Sequence, residues 1–291
     1  MTKRDIPAAV FGARPPALQA DSPTPKALEL WNPGLMARAA DRPDDAGPFQ
    51  IDILGVVGED PWSDTGTTAR QVSALLRAAG SRDIVVNINS PGGNVFEGLT
   101  IYNILREHPQ AVTVRILGMA ASAASVIAMA GDDIQIAKAG FLMIHNVWGV
   151  TVGDRNEYAS TVEYMAMVDE VLADLYSARS GIPSAEIAAL MDRETYMSGK
   201  SAVDRGFADG HLRSDDVSVT LAAATDSTEI RAQRRLDATL AKGGMPRSER
   251  RALVKSLTNS GTPSAAEDGK PSAAAEAAFA SLLATVKSTR I

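Results

Sequence analysis

The alternation of strand-like and helix-like segments between about residue 48 and residue 213 predicts an α/β fold with right-handed crossovers. Three observations carry that expectation. Apolar runs such as Ile84-Val-Val-Asn-Ile-Asn suit parallel strands covered on both faces. Several such runs end at a Gly- or Pro-containing break and give way to apolar residues at helical spacing. With 45% hydrophobic and 22% charged residues, a chain of 291 residues can bury the core such a sheet requires.

Residues 1–47 are rich in Pro, Ala, Asp and Arg and keep no period, so they read as a flexible N-terminal arm with a short docked piece around Leu28–Trp31. Phe49-Gln-Ile-Asp-Ile-Leu-Gly-Val-Val first alternates and then turns continuously apolar, as a strand does on entering a covered sheet. Val72, Leu75 and Leu76 place a helix over 67–79, which Gly80 ends. After the strand at 84–89, Ser90-Pro-Gly-Gly-Asn breaks the chain, and Leu99, Ile101, Tyr102, Ile104 and Leu105 mark a helix over 95–107. A strand at 112–117, a helix of small residues at 122–130 and short strands at 134–137 and 142–145 follow. Tyr158, Val162, Met165, Val168, Leu172 and Leu175 predict a long amphipathic helix over 156–179. Ser184 is expected to cap a helix ending near Met191, and Ser198 another before Gly206.

Beyond about residue 213 the chain becomes rich in Ala, Thr, Ser, Gly and Pro. Residues 214–291 therefore read as a low-complexity, partly helical extension, with helices expected at 228–241, 247–257 and 273–287. Charge is uneven. Between Arg231 and Lys255 eight Lys/Arg face only Asp237 and Glu249, a net of +6 in a chain whose total is −6. The basic stretch suits either an acidic partner or a solvated helix face. The acidic remainder and the 5% aromatic content speak against nucleic acid as the partner. The absence of cysteine excludes disulfides and thiolate chemistry. No apolar run long enough to span a membrane and no secretion-signal pattern occur, so no membrane partner and a cytoplasmic location are expected.

Serine-based acyl transfer usually needs an imidazole, and the chain has three histidines. His108, in Glu-His-Pro at a helix end, fits a capping role, and His211 follows the last core element. His145 ends the apolar strand Phe-Leu-Met-Ile-His, where α/β sheets present reactive groups, though a satisfied core histidine reads equally well there. Gly118-Met-Ala-Ala-Ser-Ala-Ala-Ser joins a strand to a helix through residues with little side chain. Ser122 is then either a helix cap in tight packing or a nucleophile beside orphan N–H groups. Ser125, one turn on, falls inside the helix. In Ser90-Pro-Gly-Gly-Asn, the amide of Gly93 could pair with that of Ala123 to hold an oxyanion, or the segment is only a turn. No Gly-Lys-Ser/Thr follows, so it is not a phosphate loop.

Taken in order, Ile88-Asn-Ser-Pro-Gly-Gly, Gly118-Met-Ala-Ala-Ser, Met143-Ile-His, Tyr196-Met-Ser-Gly and Ala202-Val-Asp-Arg-Gly-Phe-Ala-Asp resemble the proteolytic subunit of the Clp protease over residues 50–212. The resemblance implies a spiral of ββα units of the Clp/crotonase type, spanning residues 48–213, with the long helix as a handle. It implies a serine endopeptidase with Ser122 as nucleophile, His145 as general base, and Gly93 and Ala123 as the oxyanion hole. The triad acid of the family falls on Glu194, with Asp192 as the alternative, because this chain reads Met191-Asp-Arg-Glu-Thr-Tyr where the family has Asp. Neither metal nor organic cofactor is implied.

The arm and the extension make the chain more similar to the Clp-related head-maturation proteases of tailed phages. That likeness implies a homo-oligomeric ring, a heptamer or stacked rings, that processes scaffold and major capsid proteins. A housekeeping subunit fed by an ATPase unfoldase is the alternative. Two rivals share the fold: an acyl-CoA hydratase or isomerase, which would not need Ser122 and His145 together, and a non-catalytic capsid-assembly component.

Overall fold

The computed structural model describes residues 23–31, 47–60 and 66–212, with residues 232–233, 236–237, 239–240, 245, 249–250 and 252–254 beyond them. The chain divides into two units, Met1–Met245 and Pro246–Ile291. In the second, the described residues 249–250 and 252–254 are helical. The expected helix at 273–287 and most of those at 228–241 and 247–257 lie outside the described residues, as does most of the arm.

The first unit opens with helix α1 (Pro25–Leu30), capped by Thr24, whose side chain accepts from the Ala27 N–H, and closed by Trp31. Strand β1 (Phe49–Ile53) leads to helix α2 (Ala69–Ala79), where Thr68 and Gln71 form a reciprocal capping box. Strand β2 (Ile84–Ser90) is buried at every position, which explains its uninterrupted apolar pattern. Asn94 then caps helix α3 (Val95–Arg106) by accepting from the N–H groups of Phe96 and Glu97. Strand β3 (Val112–Ala121) precedes the short helix α4 (Ala123–Ala128), strand β4 (Asp133–Ile136) and strand β5 (Phe141–Ile144).

The long helix α5 (Arg155–Ser180) starts at an Asp154–Glu157 capping box and stops at Gly181, whose φ of 78° takes the left-handed turn that ends it. Helix α6 (Ser184–Asp192), strand β6 (Thr195–Ser198), helix α7 (Gly199–Asp204) and strand β7 (Gly210–His211) follow, and the described residues 232–233, 236–237 and 239–240 of the same unit are helical.

The sheet runs β1-β2-β3-β4-β7 in parallel, with β5 parallel to β3 and β6 antiparallel to β5. Strand β3 serves two neighbours. Its residues 113–116 pair with β4, and its residues 119–121 pair with β5. The sheet thus splits along one strand, and the split places the chain after Ala121 beside the chain after Ile144. Ile51, Ile53, Val86, Ile88, Val114 and Ile116 form the centre of the core, sealed by Leu99, Tyr102, Leu105 and Ile127 from α3 and α4. Near the far end of α5, the buried Arg179 pairs with Asp209 and donates to the Gly131 carbonyl, joining helix, loop and sheet edge.

The α/β class stands, with two extensions. Strand β3 continues to Ala121 where the sequence pattern ended it at Leu117, because small residues at 118–121 still form strand pairs with β5. Strands β6 and β7 were not anticipated; they are only four and two residues long and carry little periodic signal. Ser184 does not cap α6. Pro183 holds the cap position, and the Ser184 hydroxyl donates to Asp174 instead. Ser198 caps α7 as expected, accepting from the Ser201 N–H.

Candidate active site

The parallel register of β3 on β5 pairs Ala121 with Met143, and the Ser122 N–H donates to the Met143 carbonyl at 3.0 Å. Ser122 and His145 therefore emerge from adjacent strand ends. The Ser122 Oγ lies 2.7 Å from His145 Nε2. With the ring neutral and its hydrogen on Nδ1, the hydroxyl donates to Nε2, the arrangement a general base requires. Burial pushes the His145 pKa down from 6.5 to about 4, opposed by the negative charge of Glu194. The imidazole is thus free to accept a proton at neutral pH.

Ser122 is not a cap. It occupies the position before α4 with a φ of 56°, but its side chain makes no capping hydrogen bond. A non-glycine residue in that region is strained by roughly 1–2 kcal/mol and needs its surroundings to hold it. The surroundings do so. The Ser122 carbonyl accepts from the Ser125 N–H at 2.9 Å and from the Ser125 hydroxyl at 2.7 Å. That hydroxyl lies 2.7 Å from the Tyr176 hydroxyl of α5. Since the serine hydrogen is committed to the carbonyl, tyrosine is the donor. Ser125 is fully buried and serves as this strut, which settles it as a structural residue.

The two glycines are required sterically. A Cβ on Gly92 would come within 2.7 Å of the Ser122 Cβ, and one on Gly93 within 2.1 Å of the Val57 carbonyl oxygen. Val57 bridges Gly93 in parallel fashion: its N–H donates to Gly92 and its carbonyl accepts from Asn94. A residue at the centre of such a bridge directs its own N–H the opposite way. Gly93 and Ala123 line one cavity with Ser122 and His145, walled by Val95, Val126, Val147 and Leu172.

Strand β6 brings the carboxylates. Its antiparallel register pairs Ile144 with Thr195, so His145 and Glu194 are the residues that adjoin the end of the ladder, one on each strand. Glu194 has a φ of 48°, a second strained non-glycine position, and accepts a hydrogen bond from the Tyr196 hydroxyl at 3.0 Å. Asp192 accepts from Asn146 Nδ2 at 2.7 Å. Among the described residues neither carboxylate is hydrogen-bonded to the imidazole, and Glu194 is the one whose charge acts on it.

The other two histidines sit elsewhere: His108 Nε2 faces the Arg82 carbonyl at 3.2 Å and His211 Nδ1 the Ile136 carbonyl at 3.3 Å. Asp169 was missed by sequence reasoning. Its carboxylate accepts from the Val147 N–H at 2.6 Å and so fixes the loop that leaves His145. Burial pushes its pKa up to about 6, the Val147 N–H opposing and Asp192 adding to the rise. One of five acidic residues on a helix of 26 residues gives no sequence signal for that role. Among the described residues no cluster of His, Asp and Glu could hold a metal ion, and no helix is long and apolar enough to cross a membrane.

A serine hydroxyl held against a neutral imidazole in one cavity is the arrangement that defines the serine hydrolases in geometric terms. Comparison with known proteins narrows it. The Clp protease family profile matches residues 55–214. The ATP-dependent Clp protease proteolytic subunit of Ligilactobacillus salivarius (strain UCC118) is 32% identical over 163 residues, covering 55% of this chain and 83% of that protein. The subunit of the same name from Pleurastrum terricola is 34% identical over 132 residues, 44% of this chain and 67% of that one. A solved ClpP1 mutant from Listeria monocytogenes aligns with a TM-score of 0.47 at 22% identity, covering 58% of this chain and 94% of that chain. The chain belongs to the Clp protease family, and it is a serine-type peptidase.

Proposed function

We propose that this chain is a serine endopeptidase whose triad is Ser122, His145 and Glu194, with the amides of Gly93 and Ala123 as the oxyanion hole. The observation that carries the reading is the 2.7 Å contact between Ser122 Oγ and His145 Nε2. Ser122 Oγ attacks the peptide carbonyl carbon as Nε2 takes its proton, and the oxygen becomes an oxyanion held by the two N–H groups. The C–N bond then breaks, and the imidazolium gives its proton to the leaving amine. Water attacks the acyl-enzyme by the same route, which restores the serine. Glu194 faces the imidazole across the strand ends and stabilises its charged form; Asp192, engaged by Asn146, is the weaker claimant.

A fluorophosphonate probe should label Ser122, with labelling lost in Ser122→Ala and strongly reduced in His145→Ala. Full activity in Ser122→Ala would point instead to hydratase-type chemistry on this fold. A folded protein that neither labels nor cuts peptides would be an assembly component.

The protease acts as a homo-oligomeric ring that encloses its sites, in the cytoplasm. Support comes from Tyr158, Val162 and Met167, which α5 leaves 50%, 65% and 41% exposed, a large apolar share for a surface that stays bare. Val162→Glu should reduce the particle mass in light scattering while leaving the fold intact. Its substrates are scaffold and major capsid proteins of a tailed phage, a reading supported by the basic, low-complexity residues after 214, outside the matched family segment. The names of the relatives support a second reading, a subunit fed by an ATPase. Incubation with the products of neighbouring genes, with and without an ATPase and ATP, followed by mapping of new termini, separates the two.

A further inference from the structure

Helix α1 lies outside the segment matched by the family, yet its neighbours are all active-site segments. Ala27 and Trp31 are buried against Met119, Ala121 and Met143, with Leu28 and Tyr196 at the margin of the same cluster. Those strand residues run directly into Ser122 and His145. The Trp31 indole N–H donates to the Asn89 carbonyl at 3.1 Å, and the Asn89 side chain accepts from the Met119 N–H at 3.2 Å. Asn89 is the penultimate residue of β2, just before the loop that carries Gly93.

Tyr196 connects this helix to the candidate acid. Its hydroxyl donates to Glu194 Oε1 at 3.0 Å, and the Thr24 side chain lies near enough to the same phenol to act on its ionisation. A phenol has one hydrogen, already given to Glu194, so in any bond between the two hydroxyls Thr24 is the donor. Thr24 Oγ1 in turn accepts from the Ala27 N–H at 3.2 Å. Donated by Thr24, that bond would complete a directed chain from the Ala27 amide through Thr24 and Tyr196 to the Glu194 carboxylate. Hydrogen bonds aligned in one direction polarise each other, and the last one, to an ionised acceptor, is the strongest kind. The Lys26 ammonium sits 4.6 Å from the centre of the Tyr196 ring and fixes its face as well.

We propose that Tyr196 is a positioning residue for the Glu194 carboxylate, held in place by Thr24, so that the N-terminal helix is a working part of the active site. The inference rests on the assignment of Glu194 as triad acid. Glu194 sits on strained backbone and is not hydrogen-bonded to the imidazole, so an external tether decides where its longer side chain points. Tyr196 supplies that tether, and α1 prevents Tyr196 from turning away.

The test compares full-length Tyr196→Phe, Thr24→Val, Thr24→Ser and Glu194→Gln on a fluorogenic peptide that the wild type cleaves. Fluorophosphonate acylation rate serves as a second readout. Loss of a hydrogen bond to a charged acceptor predicts about a tenfold fall in kcat for Tyr196→Phe, with KM unchanged. Thr24→Val should fall about threefold in kcat and Thr24→Ser should recover, because serine keeps both the cap and the donor. In a Glu194→Gln background, Tyr196→Phe should cost nothing further. Wild-type kcat in both Tyr196→Phe and Thr24→Val, or a loss that persists undiminished in the Glu194→Gln background, overturns the inference. Wild-type activity in Glu194→Gln would instead remove the acid assignment itself. If Tyr196→Phe does not fold, the contrast between Thr24→Val and Thr24→Ser decides the question.

Discussion

Two groups beside the active site titrate in the same window with opposite effects on stability, and replacing one should expose the other. His145 has a folded pKa of about 4 against an ordinary 6.5, because burial disfavours its charged form. Between those values the unfolded chain binds a proton that the native state refuses, so stability falls as pH falls. Going from pH 7 to 4.5 this loss amounts to about 2–3 kcal/mol. Asp169 has a folded pKa of about 6 against 3.8, again chiefly through burial. Here the native state holds the proton more tightly, so stability rises as pH falls through 6. Its carboxylate is partly exposed, and screening reduces the gain over the same interval to roughly 1 kcal/mol. Asp169→Asn removes the compensating group while leaving an oxygen to accept the Val147 N–H. The variant should therefore lose about 1 kcal/mol more than wild type between pH 7 and 4.5. Urea denaturation at both pH values measures this, and groups shared by the two proteins cancel in the comparison. Equal losses in the two proteins, or a smaller one in the variant, would refute the reasoning.

Further outcomes follow from the same geometry. The acid limb of kcat/KM should have its midpoint near pH 4, well below the ordinary 6.5 of histidine, and Glu194→Gln should move it lower still because the opposing charge is gone; a midpoint above 6 would contradict this. Gly93→Ala would drive its Cβ to 2.1 Å from the Val57 carbonyl, so the loop must move and peptide cleavage should drop at least about a hundredfold, a loss readable by initial rates on a peptide. Asp209→Asn leaves Arg179, whose side chain is 0% exposed, without its carboxylate, and should cost about 3–5 kcal/mol in chemical denaturation.

Much of the site was legible in the order of residues along the chain. Gly92-Gly93, Ser122 and His145 each stand at the end of a strand, and strand ends follow from local patterns of apolar residues and breaks. The pairing of residues 143 and 121 could not be read that way, because strand register depends on partners distant in sequence. The same limit hid β6, whose antiparallel pairing places Glu194 opposite His145. It also hid the roles of Tyr176 and Asp169, which lie far along the chain from the groups they hold.

By itself the sequence determined the α/β order of elements, the absence of cysteine chemistry and the residue types able to carry acyl transfer, since each follows from composition or short-range periodicity. Only the tertiary structure decided that the Ser122 hydroxyl meets His145 and does not cap a helix, that Ser125 is a strut, and that Tyr196, packed beside an N-terminal helix, bonds Glu194. The reason is physical: a side chain's chemistry is local, but its partner is chosen by the register and packing of segments that meet only when the chain folds.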